Sequence, residues 1–255
     1  MTATEQELVA PDVFEVTSPF AYGIDSSVEY SGGVWFSKGH WAMKTDKNLK
    51  DGYDKKKCAP FWTDNYWQAL KGRFNYRMDA CVWMPNIDNR SEGFWVFEAS
   101  KAVRVTADGK SVKIGPFDIT DKNLFPKTKD TVFSGGVDAA AHESHTSDSV
   151  KYLFFRFTGG KHYIGVYTWK KKESEHSLTI KEGLSDKFPR FPFADRPIGS
   201  VLELGDYWYF FVSHDIEEAQ AFGHHKTDTT GNSDIGPSPI SEVVPVIKTD
   251  YAKPS

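Results

Sequence analysis

The chain has 255 residues, 39% of them hydrophobic and 26% charged, and a formal net charge of −4. That charge sets up no basic field for nucleic acid or anionic lipid, and no run approaches the roughly 20 apolar residues of a membrane helix. The outlier is aromatic content, with 19 Phe, 11 Tyr and 8 Trp making up 15% of the chain; disordered chains are poor in such residues.

Residues 1–23 open acidic, with neither a basic n-region nor an apolar h-region, and read as an N-terminal extension rather than a secretory signal. The expected location is cytoplasmic, with secretion of a trimmed form left open. Cys58 and Cys81 are too few for a disulfide framework or an all-thiolate zinc site.

From residue 24 a pattern recurs. A β-branched residue or Met precedes Asp and small residues, and an aromatic run follows. The first copy is Ile24-Asp25-Ser26-Ser27 with Val34-Trp35-Phe36, and a third strand is expected over 40–44. The second is Met78-Asp79-Ala80-Cys81 with Phe94-Trp95-Val96-Phe97, a third strand over 102–106, and a hairpin turn at Ala107-Asp108-Gly109-Lys110. The third is Val137-Asp138-Ala139-Ala140 with the run Tyr152-Leu153-Phe154-Phe155-Arg156-Phe157, and a third strand over 163–169. The fourth is Ile198-Gly199-Ser200-Val201 with Tyr207-Trp208-Tyr209-Phe210-Phe211. Phe125-Pro126 and Phe188-Pro189 mark short turns with a proline stop. Starts at 24, 78, 137 and 198 lie roughly sixty residues apart, giving units of about 24–77, 78–136, 137–197 and 198–255.

The runs are rich in strand formers, and no long helical period stands out. A small sheet of three or four strands has two apolar faces and open edges, so it is not stable alone. Stacking four in a closed ring buries every face. The expected fold is all-β, a four-bladed β-propeller around a central channel. The small residues after each Asp suit inner strands crowded about the axis.

These starts, the Phe-Phe strand with its following Gly, and the Phe-Pro segment resemble the hemopexin-like repeat, over about residues 24–225 and the tail beyond. The closest unit is the third, with Gly159-Gly160-Lys161-His162-Tyr163 after its aromatic strand. The resemblance implies a four-bladed propeller of a group that includes seed albumins, lectin-like proteins and a heme carrier. It also implies an axial cation, Ca²⁺ or Na⁺, held by main-chain carbonyls of Asp25, Asp79, Asp138 and Gly199. The alternative for these residues is that each Asp side chain caps backbone groups of a neighbouring blade, with water in the channel. Gly199 departs from the Asp of the pattern, and Ser26-Ser27 from Ala-Ala. Some members join the first and last blades by a disulfide. Here both cysteines fall near the first-to-second junction, and residues 239–251 are expected to supply an outer strand instead.

Two further sets bear on function. Trp62, Asp64, Asn65 and Trp67 combine aromatic faces with polar groups, the chemistry for stacking on a sugar or flat ligand; the alternative is the outer strand of the first blade. His142-Glu143-Ser144-His145, His214 and His224-His225 read as solvated loop residues, since the spacing matches no helical zinc motif; heme ligation is the less favoured alternative. No nucleophile elbow, phosphate loop or dinucleotide fingerprint occurs. The expected function is binding of a small molecule or glycan at the channel mouth or between blades, by a monomer or homodimer. An aromatic-lined enzyme without covalent catalysis, such as a cyclase or Diels–Alder-type pericyclase, is the alternative. A protein-interaction domain is the third reading.

Overall fold

The structure is a computed structural model, and it describes residues 20, 23–30, 33–39, 41–46, 49, 58–60, 67–72, 78–87, 91–172, 175–212 and 219–243. The strands group into four antiparallel sheets of four. The first sheet holds β1 (Ser26–Tyr30), β2 (Gly33–Lys38), β3 (Trp41–Asp46) and β4 (Cys58–Pro60) in that order. The second holds β5 (Ala80–Met84), β6 (Gly93–Glu98), β7 (Lys101–Thr106) and β8 (Val112–Asp118). The third holds β9 (Ala139–His145), β10 (Ser149–Thr158), β11 (Lys161–Lys170) and β12 (Ser177–Glu182). The fourth holds β13 (Ile198–Leu204), β14 (Tyr207–Val212), β15 (Gln220–His225) and β16 (Ile235–Pro239), followed by a turn of α-helix at Ile240–Val243. The first strands touch in a closed circuit, β1 to β5 to β9 to β13 and back to β1. This is the four-bladed propeller expected.

The aromatic runs lack polar alternation because both faces of each second strand are covered. Tyr152 and Phe154 of β10 point into the cluster shared with the second blade, beside Trp95, Phe97 and Phe125. Leu153 and Phe155, the alternate residues, point into the cluster shared with the fourth blade, beside Phe188 and Phe210. The same split recurs on β6, where Phe94 and Val96 face the first blade, and on β14, where Phe211 faces Phe36 of the first blade edge-on at 6.1 Å. Four hydrophobic clusters therefore match four inter-blade wedges. Phe125 illustrates how rings fill them. It meets Trp95, Phe154 and Tyr167 edge-on at 5.0–5.2 Å, contacts worth about 0.5–1.5 kcal/mol each beyond the area they bury.

The outer strand of the fourth blade is Ile235–Pro239, upstream of the expected segment 239–251. Position 240 instead turns into helix, its N–H bonded to the Ala219 carbonyl at 2.8 Å. Ala107–Lys110 is the expected hairpin, held by Asp108 Oδ1, which accepts from Thr106 Oγ1 at 2.6 Å and from the Lys110 N–H at 3.0 Å.

A β-bulge explains the repeated Asp. The N–H of Asp25 donates to the Ser37 carbonyl at 2.9 Å, although Ser37 is already paired with Ser26. Asp79 does the same to Phe97, the partner of Ala80, and Asp138 to Phe155, the partner of Ala139. In the fourth blade the register skips Gly199, between Ile198 opposite Val212 and Ser200 opposite Phe211. Each inner strand thus begins with an extra residue, which bends and twists it as it enters the axis.

Candidate functional site at the channel mouths

The channel has two mouths. The recess at the start of the inner strands has a volume of about 480 Å³ and includes Asp25, Lys38, Asp79, Asp138 and Gly199 in its lining. The four residues assigned from the repeat are thus brought together. The carboxylates of Asp25, Asp79 and Asp138 accept from groups of their own blades, whereas the alternative reading has each capping a neighbouring blade. Asp25 accepts from Gly39 N–H at 2.7 Å and Lys38 Nζ at 2.9 Å. Asp79 accepts from Ala99 N–H at 2.7 Å. Asp138 accepts from Phe157 N–H at 2.7 Å and an Arg156 guanidinium N–H at 2.9 Å. Burial pushes the Asp138 carboxyl up, against the opposing pull of the Phe157 N–H and of Arg156. The reason for the Asp is local: it ties the end of the second strand to the bulge.

The opposite mouth, at the far ends of the inner strands, opens on a cavity of about 520 Å³. Every blade contributes to its wall: Tyr30 from the first, Trp83 from the second, His142 from the third, and Glu203 and Lys226 from the fourth. Glu203 is the hub. It accepts from Lys226 Nζ at 2.6 Å and lies 3.2 Å from His142 Nδ1. Burial works against its ionisation, but the hydrogen bonds from His142 and Lys226 outweigh that and hold the carboxyl below its usual range. His142 Nε2 in turn lies 3.1 Å from His145 Nδ1. Burial, helped by the neighbouring His142, lowers the pKa of His145. The indole of Trp83 stands edge-on to both imidazoles, at 5.4 and 5.6 Å. On the first blade Tyr30 donates to Glu92 Oε1 at 3.1 Å. The cavity wall offers aromatic rings, an ammonium, the carboxylates of Glu29 and Glu203 and the imidazole of His142, with the imidazole of His145 beside the last.

These two histidines are not in a loop. They lie on β9, and His224 and His225 end β15. His224 is buried, with Nδ1 2.8 Å from Asp234 Oδ1 and its ring stacked at 6.3 Å on Trp208; His214 lies outside the described residues. Of the suggested stacking set, Trp62, Asp64 and Asn65 also lie outside the described residues. Trp67 is 4% exposed and packs edge-on to Phe94 at 4.9 Å and to Trp35 at 5.9 Å, inside the wedge between the first two blades. Glu203, Lys226, Trp83 and Tyr30 carried no sequence signal, since they come from three different blades and only the packing of blades around the axis gathers them. Among the described residues no group of three or more His, Cys, Asp or Glu side chains is placed to hold a metal ion, and no helix is long and apolar enough to cross a membrane.

No protein-family model matches the chain, and no curated protein is similar to it in sequence. Solved structures are similar in fold. A 2S albumin seed protein from Dolichos superposes with a TM-score of 0.64 at 17% identity, covering 88% of this chain and 97% of the albumin. The hemopexin fold protein CP4 from cow pea gives 0.61 at 14% identity, covering 89% and 98%. A plant albumin from Cicer arietinum showing hemagglutination gives 0.59 at 14% identity, covering 88% and 96%. The chain has the hemopexin-like four-bladed fold, as its repeats indicated.

Proposed function

We propose that this protein is a non-enzymatic binding propeller whose ligand, a small polar molecule or a glycan unit, occupies the mouth walled by Trp83, His142, Glu203 and Lys226. The observation that carries this reading is the convergence of all four blades on one cavity of about 520 Å³, a size typical of ligand pockets, which span about 300–1,000 Å³. An aromatic face beside fixed charged groups suits a ligand that is held by stacking and oriented by hydrogen bonds. Fold alone does not choose the ligand. The hemagglutination of the Cicer albumin is the reason to place glycans on the panel.

The test is a thermal-shift and calorimetric screen of a glycan array, polyamines and hemin against the full chain. A true ligand loses at least tenfold in affinity on Trp83→Ala or Lys226→Ala and is indifferent to Lys38→Ala at the opposite mouth. Failure of the whole panel, or a ligand insensitive to the first two changes, removes the reading. A second reading, noncovalent catalysis of a cyclisation, draws support from the same volume and from the Tyr30 and Trp83 rings on its wall; turnover of a reactive precursor, lost in Trp83→Ala, is its test. The interaction-domain reading draws least support. Phe117 and Ile235, exposed by 46% and 40%, lie on the outer strands of opposite blades and do not share a patch.

An axial Ca²⁺ or Na⁺ at the other mouth belongs to the same proposal. The carboxylates of Asp25 and Asp138 are engaged by lysine, arginine and backbone N–H groups, so the oxygens these residues could give a hard cation are main-chain carbonyls, the donor type such ions accept. Asp79→Ala should then retain the ion, and a crystal soaked in Ca²⁺ that shows no axial anomalous peak would remove the site.

A further inference from the structure

The pairing of β9 with β10 contains a second irregularity. Val150 faces His145 and Lys151 faces Ser144, but the next residue, Tyr152, faces His142. Glu143 is therefore an extra residue in β9. In a regular strand, residues three apart point to opposite faces. The bulge at Glu143 resets the alternation, so that His142 and His145 come to the same side, with ring nitrogens 3.1 Å apart. Glu143 itself turns to Lys187, with which it forms an ion pair, and is not spent on the histidines.

From this geometry we infer that His142 Nε2 and His145 Nδ1 form a two-histidine site for a divalent transition-metal ion, with Cu²⁺ the tightest-bound member. A metal bound by imidazoles at about 2.0–2.1 Å, with its two nitrogens 3.1 Å apart, subtends close to 100° at the ion. That angle falls between tetrahedral and square-planar values, and imidazole suits Zn²⁺, Ni²⁺ and Cu²⁺ alike. Affinity at such a site rises towards Cu²⁺ in the usual order of divalent ions.

The surroundings set the tautomers. Glu203 is ionised and held by Lys226, so it accepts a hydrogen bond of 3.2 Å from His142 Nδ1–H. The lone pair of His142 is thereby left on Nε2, the nitrogen that faces His145. A carboxylate on the far nitrogen of a ligating histidine is the usual way its ring is oriented and its basicity raised. In the metal-free protein His145 Nδ1–H donates to that lone pair. On binding, the ion takes the place of this proton, His145 carries its proton on Nε2 instead, and the net protonation of the pair is unchanged. No third protein side chain reaches the site among the described residues, so water or a bound chelating molecule fills the other positions. His145 is exposed, which gives the ion a path in.

The metal alone is the probe, which keeps this test separate from the ligand screen. Cu²⁺ is titrated into the full chain and followed by calorimetry and by electron paramagnetic resonance. One Cu²⁺ per chain with two coordinated nitrogens is expected. His145→Gln, at an exposed position, should weaken binding at least tenfold and remove one nitrogen from the spectrum. Glu203→Gln, isosteric and remote from the ion, should weaken it about tenfold. His225→Gln on the fourth blade should change neither. The ordered quenching of Trp83 emission, diminished in Trp83→Phe, gives a second readout from a ring that touches both histidines. An unchanged spectrum in folded His145→Gln, or a weakening equal in His225→Gln, overturns the site.

Discussion

Ser27 of the first blade and Ser200 of the fourth place their hydroxyl oxygens 2.5 Å apart, both buried, where the ring closes on itself. Cys81 is a free, buried thiol in the second blade, its pKa raised by burial, and takes no part in closure. Among the described residues the first-to-last seam includes this hydrogen bond and a hydrophobic cluster in which Phe36 packs against Phe211. Ser27→Ala leaves the Ser200 hydroxyl buried without that partner and should cost about 1–2 kcal/mol, since an unsatisfied buried hydroxyl is penalised more than a missing pair. Ser27→Ala with Ser200→Ala should cost less than the sum of the single changes. A double-mutant cycle in urea reads the difference, and strict additivity would count against the bond.

Gly165 on β11 has no room for a methyl group. A Cβ there would lie 2.7 Å from Phe133 Cε2 and 3.0 Å from Leu178 Cδ1. Phe133 is fully buried between the second and third blades and has nowhere to retreat. Gly165→Ala should destabilise by about 1–3 kcal/mol through overpacking, with a lower urea midpoint and an unchanged slope.

Asp138 joins the bulge to the end of β10 by bonds to Phe157 N–H and Arg156. Asp138→Ala should cost about 1.5–3 kcal/mol, the range for hydrogen bonds to a charged group. Asp138→Asn keeps an acceptor for Phe157 N–H and should cost less. Chemical denaturation of the two variants checks the order, and equal losses would show that the backbone bond contributes nothing.

His162 is buried, with Nε2 donating to the Phe193 carbonyl at 3.0 Å and its ring 4.8 Å from that of Phe157. Burial lowers its pKa, outweighing the carbonyls of Phe193 and Arg196 and the carboxylates of Asp138 and Asp195. The unfolded chain therefore takes up the proton first as pH falls through about 6.5, the ordinary imidazole value. Stability is full above that pH and declines below it until the folded histidine is protonated too. The urea midpoint should fall between pH 7.5 and 5.5, and His162→Gln should flatten part of that slope. An identical pH profile in the variant would exclude His162 as the source.

The repeat made the architecture legible. Four like-spaced Asp-small starts and unalternating aromatic runs already require sheets buried on both faces, and the alternate contacts of Tyr152 and Leu153 with opposite neighbours show why. The same Asp residues were legible as positions but not in their role, because a bulge is a matter of pairing register that only the partner strand reveals. The Glu143 bulge was hidden for the same reason, and with it the approach of His142 to His145, which in a straight strand would point apart.

Sequence by itself determined the number of blades, the aromatic second strand of each, and which segments enter the axis, since these follow from local strand preference and from the need to cover two apolar faces. Tertiary structure alone decided the site. Trp83, His142, Glu203 and Lys226 belong to three blades and are far apart along the chain, and they meet at one mouth because the inner strands of successive blades pack side by side around the axis.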